Sequence, residues 1–392
     1  MKQHRSGVKH KGGYIYIIIA IVIVLLNVIA WNSTAFCDAY IQYIFPIWVN
    51  TYGRLTGLFS FSVGEIMLGL AVVLVVLAAV LWIPAGMGKL ARACRKQKRT
   101  ASWKISNWIA GFYKFFAWTL LIVCLVMTLN CFILYHASTF PETYFGEDTK
   151  GEYTLDELII VRNMVVEECN RLSLLMERDE EGNILYDQDI GEQAILCMKE
   201  LGRIYDRLDG YYPHPKPLYT SDFCCQQYMC GYYFPFSMEA NYNDVMYIMN
   251  KPSTMCHELS HLKGYIYEDE ANFISFLACT GSEDLVFQYS GYLSVLYYLD
   301  NDFYAAVNKN REVYNAQPAI SAQVHADNVF VTKEEWDRIN AKAIIDTETV
   351  DEVSDMFVDT TLKVNGVSDG MISYNRVVKL LLQYYEQQGV IK

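Results

Sequence analysis

Three uncharged apolar runs dominate the first third of the chain, at residues 14–31, 66–83 and 115–135. Each is long enough to cross a bilayer as a helix, and uncharged runs of roughly 18 residues or more are rare in soluble cores. The pattern then changes. Thr154, with Glu157 three residues on, reads as a capping box, and an apolar-periodic helix follows to about Met176. Residues 177–183 (ERDEEGN) read as a solvated loop and 191–208 as a second helix. Residues 211–250 are rich in proline, glycine and aromatics. They include GYYFPF at 231–236 and VMYIM at 245–249, which read as short strands joined by turns. From there the apolar spacing is helical, over about 253–264, 268–280, 283–299, 300–312, 333–345, 348–363 and 373–387. The expected fold class is α+β and mainly helical. An N-terminal three-helix transmembrane region fills 1–140, and a domain with a small β-sheet fills 141–392.

Charge divides the chain at the same place. Residues 1–135 carry 13 Lys/Arg and 2 Asp/Glu, a net of +11, and residues 136–392 carry 19 and 42, a net of −23. So acidic a C-terminal part argues against nucleic acid as a partner. The basic residues cluster at the N-terminus (Lys2, Arg5, Lys9, Lys11) and in the loop 86–110 (Lys89, Arg92, Arg95, Lys96, Lys98, Arg99, Lys104). The positive-inside rule puts both clusters on the cytoplasmic side of the cell membrane. Three spans then place residues 32–65, and everything after about residue 136, outside. The first run follows a basic stretch, as a signal peptide does. It is long and lacks a small-x-small cleavage site, so an uncleaved anchor is expected. The segment 36–60 holds Tyr40, Tyr43, Phe45, Trp48 and Tyr52. Two readings of it stay open: an amphipathic stretch lying in the membrane interface, or a loop packed on the outer domain.

The chemistry concentrates in His257-Glu258-Leu259-Ser260-His261, an HExxH sequence. Histidines at i and i+4 share a helical face and can hold one zinc ion at about 2.0–2.1 Å. The glutamate between them can take a proton from a zinc-bound water and later give it to a leaving amine. Pro252-Ser253-Thr254 offers a helix start just upstream, and Gly264 a stop just past the second histidine. A chance HExxH in so His-poor a chain is expected on the order of once in a hundred sequences.

A catalytic zinc site needs a third protein ligand. The stretch Glu268-Asp269-Glu270-Ala271-Asn272-Phe273 opens an apolar-periodic helix and resembles the E-x-x-A-D or E-x-x-A-N pattern of zincins that take a glutamate from a second helix. That resemblance implies Glu268 as ligand, with Ala271 allowing close packing and Asn272 orienting a histidine; Glu270 is the alternative ligand. The gap from His261 to Glu268 is short, so the chain must turn sharply near Gly264–Tyr267. The metzincin spacing does not fit, because its third histidine position falls on Tyr267.

The likeness extends over nearly the whole chain. The three runs, LTGLFSFSVGE at 55–65, GYYFPFSMEAN at 231–241, MCHELSHLKG at 255–264, EDEANF and NGVSDGMISYNRVVKLL resemble a bacterial family of uncharacterised membrane proteins of the zincin, HExxH metallopeptidase superfamily. The resemblance implies an extracytoplasmic zincin-like metallopeptidase domain acting on a peptide or protein substrate. By the same analogy the segment at 231–243 supplies a substrate-binding edge strand, with Glu239 and Asn241 near the cleft; a purely structural hairpin is the other reading. The oxyanion-stabilising residue is unassigned. His136, His214 and His325 lack a telling context, and Tyr289, Tyr292 and Tyr374 are candidates among 30 tyrosines. Of 11 cysteines, eight fall outside the membrane and cytoplasm, so disulfides are possible there. Cys256 points away from the histidine face, and no CxxC pair suggests a cysteine zinc cluster. Two rival functions remain: a non-catalytic membrane sensor or assembly factor on a zincin fold, and a zinc amidase or other hydrolase acting on cell-wall material.

Overall fold

The computed structural model describes residues 6–94, 101–146, 152–364 and 376–392. Lys2, Arg5, Arg95, Lys96, Lys98, Arg99 and Tyr374 lie outside the described residues. The chain opens with α1 (Ser6–Asn32) and α2 (Thr34–Tyr43), followed by short helical turns to Thr56. Next come α3 (Val63–Cys94) and α4 (Ala101–Met127), which a π turn (Thr128–Phe132) and a 3-10 turn (Leu134–His136) prolong. The stretches Gly12–Asn32, Val63–Ile83 and Asn107–His136 are each long and apolar enough to cross a membrane. Their apolar side chains point outward, as lipid contact requires, save at one end. The third stretch is 28% buried against 6% and 0% for the others. The reason is that its far end runs into the rest of the protein. The basic segment expected at 86–110 falls between the second and third apolar stretches, and α3 and α4 extend into it as far as Cys94 and from Ala101.

The linker between the first two spans has two faces. Cys37, Tyr40, Ile41, Phe45 and Val49 are buried in the main core. Tyr43, Ile44, Ile47, Leu55 and Leu58 are exposed. The packed reading of this segment holds for its buried face.

The remaining chain is helical around a small sheet. α5 (Leu155–Ser173) starts at the Thr154–Glu157 capping box, and α6 (Ile190–Gly202) at an Asp189 cap. The strands are β1 (Lys216–Pro217), β2 (Gly231–Phe234) and β3 (Glu239–Tyr242), in the order β1-β3-β2. β3 runs parallel to β1 and antiparallel to β2, with Gly231 opposite Tyr242 and Phe234 opposite Glu239. Then follow α7 (Lys251–His261), α8 (Glu268–Thr280), α9 (Leu285–Ala306), α10 (Lys333–Lys342), α11 (Thr347–Val364) and α12 (Val377–Gln387). The helices α7, α8 and α9 pack on one another, with α5, α6 and α12 around them. The core continues across residue 140, because Phe140 is buried against Tyr265 and Phe273.

Several local expectations change. The helices expected at 283–299 and 300–312 are one helix as far as Ala306. Asp300 breaks the apolar spacing, yet it receives the buried Arg162 guanidinium at 2.7 Å, so a polar residue sits inside the packing. The helix expected at 191–208 stops at Gly202, where a side chain would meet the Leu208 carbonyl at 2.8 Å. VMYIM at 245–249 forms no strand; the chain there leads into a 3-10 turn at Ile248–Asn250. Cys37, Cys124, Cys131, Cys169, Cys197, Cys224, Cys225, Cys230, Cys256 and Cys279 are free thiols.

Candidate metal centre

The short helix α7 carries the HExxH residues. Pro252 sits in its first turn, where a missing N–H costs nothing. It ends at His261, and Gly264 then takes a φ of +84° that favours glycine. This turn brings the chain back within four residues, so that α8 begins at Glu268 beside the two histidines. The Arg207 guanidinium holds the turn by donating to the carbonyls of Lys263 and Gly264 and stacking on the Tyr265 ring.

His257, His261 and Glu268 converge, with one ligand atom from each lying within 4.8 Å of the others. The His257 and His261 Nε2 atoms are 3.2 Å apart. Glu268 Oε2 is 2.9 Å from His257 Nε2 and 3.9 Å from His261 Nε2. Tetrahedral zinc with bonds of about 2.0–2.1 Å requires donors roughly 3.3 Å apart, so the set fits this ion. The outer nitrogens are already engaged. His257 Nδ1 donates to Asn272 Oδ1 at 2.9 Å and His261 Nδ1 to the Tyr265 carbonyl at 2.6 Å. Both Nε2 lone pairs are thereby turned inward. Glu270, two residues from Glu268, faces elsewhere and accepts the Phe140 backbone N–H.

Glu258 is buried beside this centre, and its Oε2 has no hydrogen-bond partner among the described residues. Burial pushes its carboxyl up to about 8, although the neighbouring His257 and the Tyr233 backbone N–H pull the other way. Burial disfavours protonation of both histidines, with opposite outcomes. The Glu268 carboxylate outweighs it at His257, which rises to about 9. At His261 burial prevails and the ring falls to about 4. Burial would raise Glu268, but the two imidazoles hold it below the usual carboxylate range. Burial lifts Asp269 to about 6 and Glu270 to about 8.

A family model described as a protein of unknown function, DUF3810, matches residues 40–382. The chain belongs to the DUF3810 family. The matched region includes α7, α8, the sheet and two of the three apolar helices. No curated protein and no solved structure matches the chain.

The structure brings together some of the residues expected at the site and separates others. Glu239 is 1% exposed and Asn241 fully buried. Both lie on the inner strand β3, with the Asn241 carbonyl near Gly231 on the side of Glu258. Glu239 meets Lys216, the Ser237 hydroxyl and the Gly64 N–H. The strand beside Glu258 is β2. A Cβ on Gly231 would meet Glu258 Oε1 at 2.9 Å and the Asn241 carbonyl at 2.5 Å. Tyr233 places its ring 6.0 Å from that of His261. Gly231 and Tyr233 were not singled out from the sequence, although a glycine inside a strand pattern is a sign of close backbone approach. The candidates for oxyanion stabilisation have other contacts: Tyr289 with Asp327, Tyr292 with the Phe276 ring, His214 with Asp189 and His136 with the Trp31 ring. His325 lies in the short helix Ala322–Asp327.

Proposed function

We propose that this DUF3810 protein is a membrane-anchored zinc-dependent peptidase whose site lies in a zincin-like domain outside the cytoplasmic membrane. The observation that carries the reading is the convergence of His257, His261 and Glu268 beside a buried Glu258 oxygen that has no partner among the described residues. His257, His261 and Glu268 would hold the ion. Bound zinc would supply Lewis acidity toward a scissile carbonyl and lower the pKa of a water. Glu258 takes the proton of the attacking water and passes it to the leaving nitrogen, a role suited to a carboxyl raised toward neutrality by burial. Asn272 and the Tyr265 carbonyl hold the imidazoles in orientation. β2 is a sheet edge, and an extended substrate added to it would lie against Glu258. The outward placement rests on the Lys and Arg distribution.

The test is zinc content per purified chain, with Glu258→Gln as the catalytic control. One zinc is expected in the wild type, in Glu258→Gln and in Glu270→Gln, and none in His261→Ala or Glu268→Ala. Peptide hydrolysis should vanish in Glu258→Gln alone among the zinc-loaded forms. A folded wild type that takes up no zinc when offered it would remove the peptidase reading and favour a sensor or assembly role.

A further inference from the structure

The metal centre is built onto the outer end of a membrane-spanning helix. Asn130, in the π turn that follows α4, donates through Nδ2 to the Pro235 carbonyl at 2.9 Å, just past β2. Its own carbonyl accepts the Tyr233 hydroxyl at 3.2 Å. Tyr233 in turn packs its ring on His261. One tyrosine side chain therefore separates the third span from a ligand histidine. The same span also meets the chain just before Glu268. The Tyr135 carbonyl accepts the Tyr267 hydroxyl at 2.7 Å, and Tyr267 immediately precedes Glu268. The second span is fixed to the sheet as well, since Glu239 of β3 receives the backbone N–H groups of Val63 and Gly64 at the start of α3.

The linker between the first two spans lies under the same turn. Ile41 of α2 sits against Gly264, where a Cβ would meet its Cγ2 at 3.2 Å. The opposite side of this linker exposes Tyr43, Ile47, Leu55, Phe59 and Leu58, the last 78% exposed. Because α1 and α3 enter the bilayer directly from its two ends, this apolar face lies at the level of the lipid headgroups. The centre is thus held close above the bilayer by the third span, the second span and the interfacial linker.

The strand edge beside Glu258 belongs to β2, which ends the sheet. Asn243 N–H donates to the Cys230 carbonyl, and Met238 N–H to the Phe234 carbonyl. In an antiparallel pair this alternation directs the backbone groups of Gly231 and Tyr233 away from β3. The Tyr233 N–H accordingly faces the Glu258 carboxylate.

From this arrangement we infer that the substrates are membrane-anchored polypeptides, bound and cut in the extended stretch next to their own anchor. This inference rests on the peptidase reading.

The experiment uses the full chain, zinc-loaded, in phosphatidylcholine vesicles. The probes are acyl-anchored peptides degenerate at eight positions, joined to the anchor by spacers of about 4 or about 30 residues, so both are concentrated equally at the membrane. Capture is read by photocrosslinking from benzoylphenylalanine at Tyr232 in the Glu258→Gln protein, and cleavage by the wild type. At least tenfold greater capture of the short-spacer pool, with cuts confined near the anchor, is expected. Equal capture and cleavage of both pools overturns the inference and leaves the peptidase reading standing. Capture of the short-spacer pool without any cleavage keeps the juxtamembrane site and removes the peptidase reading. Capture of neither pool overturns the inference.

Discussion

Asn272 Oδ1 accepts the Nδ1 hydrogen of His257 at 2.9 Å, and Asn272 sits one helical turn beyond Glu268 on α8. One helix thus supplies both the carboxylate for the centre and the group that orients a partner ligand. Asn272→Ala should weaken zinc about 10–100-fold, the usual cost of losing such a support. Asn272→Asp, a stronger acceptor at the same place, should restore or exceed wild-type affinity. Competition with a zinc chelator measures both. An Ala variant that binds as tightly as the wild type would mean that the contact does not orient the ring.

Zinc binding should release close to one proton per ion at pH 7, and His257 is its source. In the free protein Glu268 raises His257 to about 9, while burial holds His261 near 4 and already neutral. Zinc must displace the His257 proton, so affinity should climb with pH until about 9 and then level off. Stability of the zinc-free protein runs the opposite way. A histidine whose folded pKa exceeds its unfolded value near 6.5 contributes fully below that value, and the contribution fades as pH rises through about 9. Calorimetry in buffers of different ionisation enthalpy counts the protons. A count near zero at pH 7 would contradict the His257–Glu268 ion pair.

What the sequence reveals of this site depends on distance along the chain. His257, Glu258 and His261 share one helix, so residue spacing alone relates them, while Glu268 and Asn272 share the next helix and are reached by resemblance to the E-x-x-A-N pattern. The choice between Glu268 and Glu270 depended on resemblance, and the structure separates the two by direction: one faces the histidines, the other Phe140. The apolar helices were readable because lipid contact tolerates an uninterrupted run of apolar side chains. Glu239 was misplaced because its partners are remote. Lys216 is 23 residues away and Gly64 is 175 residues away, so no local pattern records either contact. Strand order also decided the matter. Nothing in GYYFPFSMEAN says which of two adjacent strands lies outermost, and the outermost one is β2.

The Lys216–Glu239 pair makes a separate prediction about stability. Its side chains are 4% and 1% exposed, and Glu239 also accepts from the first backbone amides of α3, where the helix dipole favours an anion. Glu239→Ala strands a buried lysine and uncaps a span, so about 3–5 kcal/mol should be lost. Lys216→Met should cost less, because Glu239 keeps Ser237, Val63 and Gly64 as donors. Denaturant unfolding in detergent, followed by tryptophan fluorescence, gives the order. Equal losses would show that the cap on α3 contributes nothing beyond the ion pair.

Gly231 tests whether β2 must lie tight against Glu258, the proposed general base. A Cβ there would approach the Asn241 carbonyl to 2.5 Å, the Glu258 Oε1 to 2.9 Å and the Thr254 methyl to 3.0 Å. Two of these neighbours can move little. The Asn241 carbonyl belongs to the sheet backbone, and Thr254 is buried on α7. The side chain of Glu258 is the part able to give way. Gly231→Ala should therefore cost about 1–3 kcal/mol by overpacking and turn Glu258 from its position. Zinc content should stay near one per chain, because the three atoms nearest the added Cβ belong to Asn241, Glu258 and Thr254 and to neither histidine. Hydrolysis should fall at least tenfold, mainly in kcat, because the displaced group acts on the proton and not on substrate affinity. Loss of zinc together with activity would place Gly231 among the supports of the ligands. Full activity in Gly231→Ala would show that β2 can draw back from α7 without consequence, and that the close approach is incidental to the chemistry.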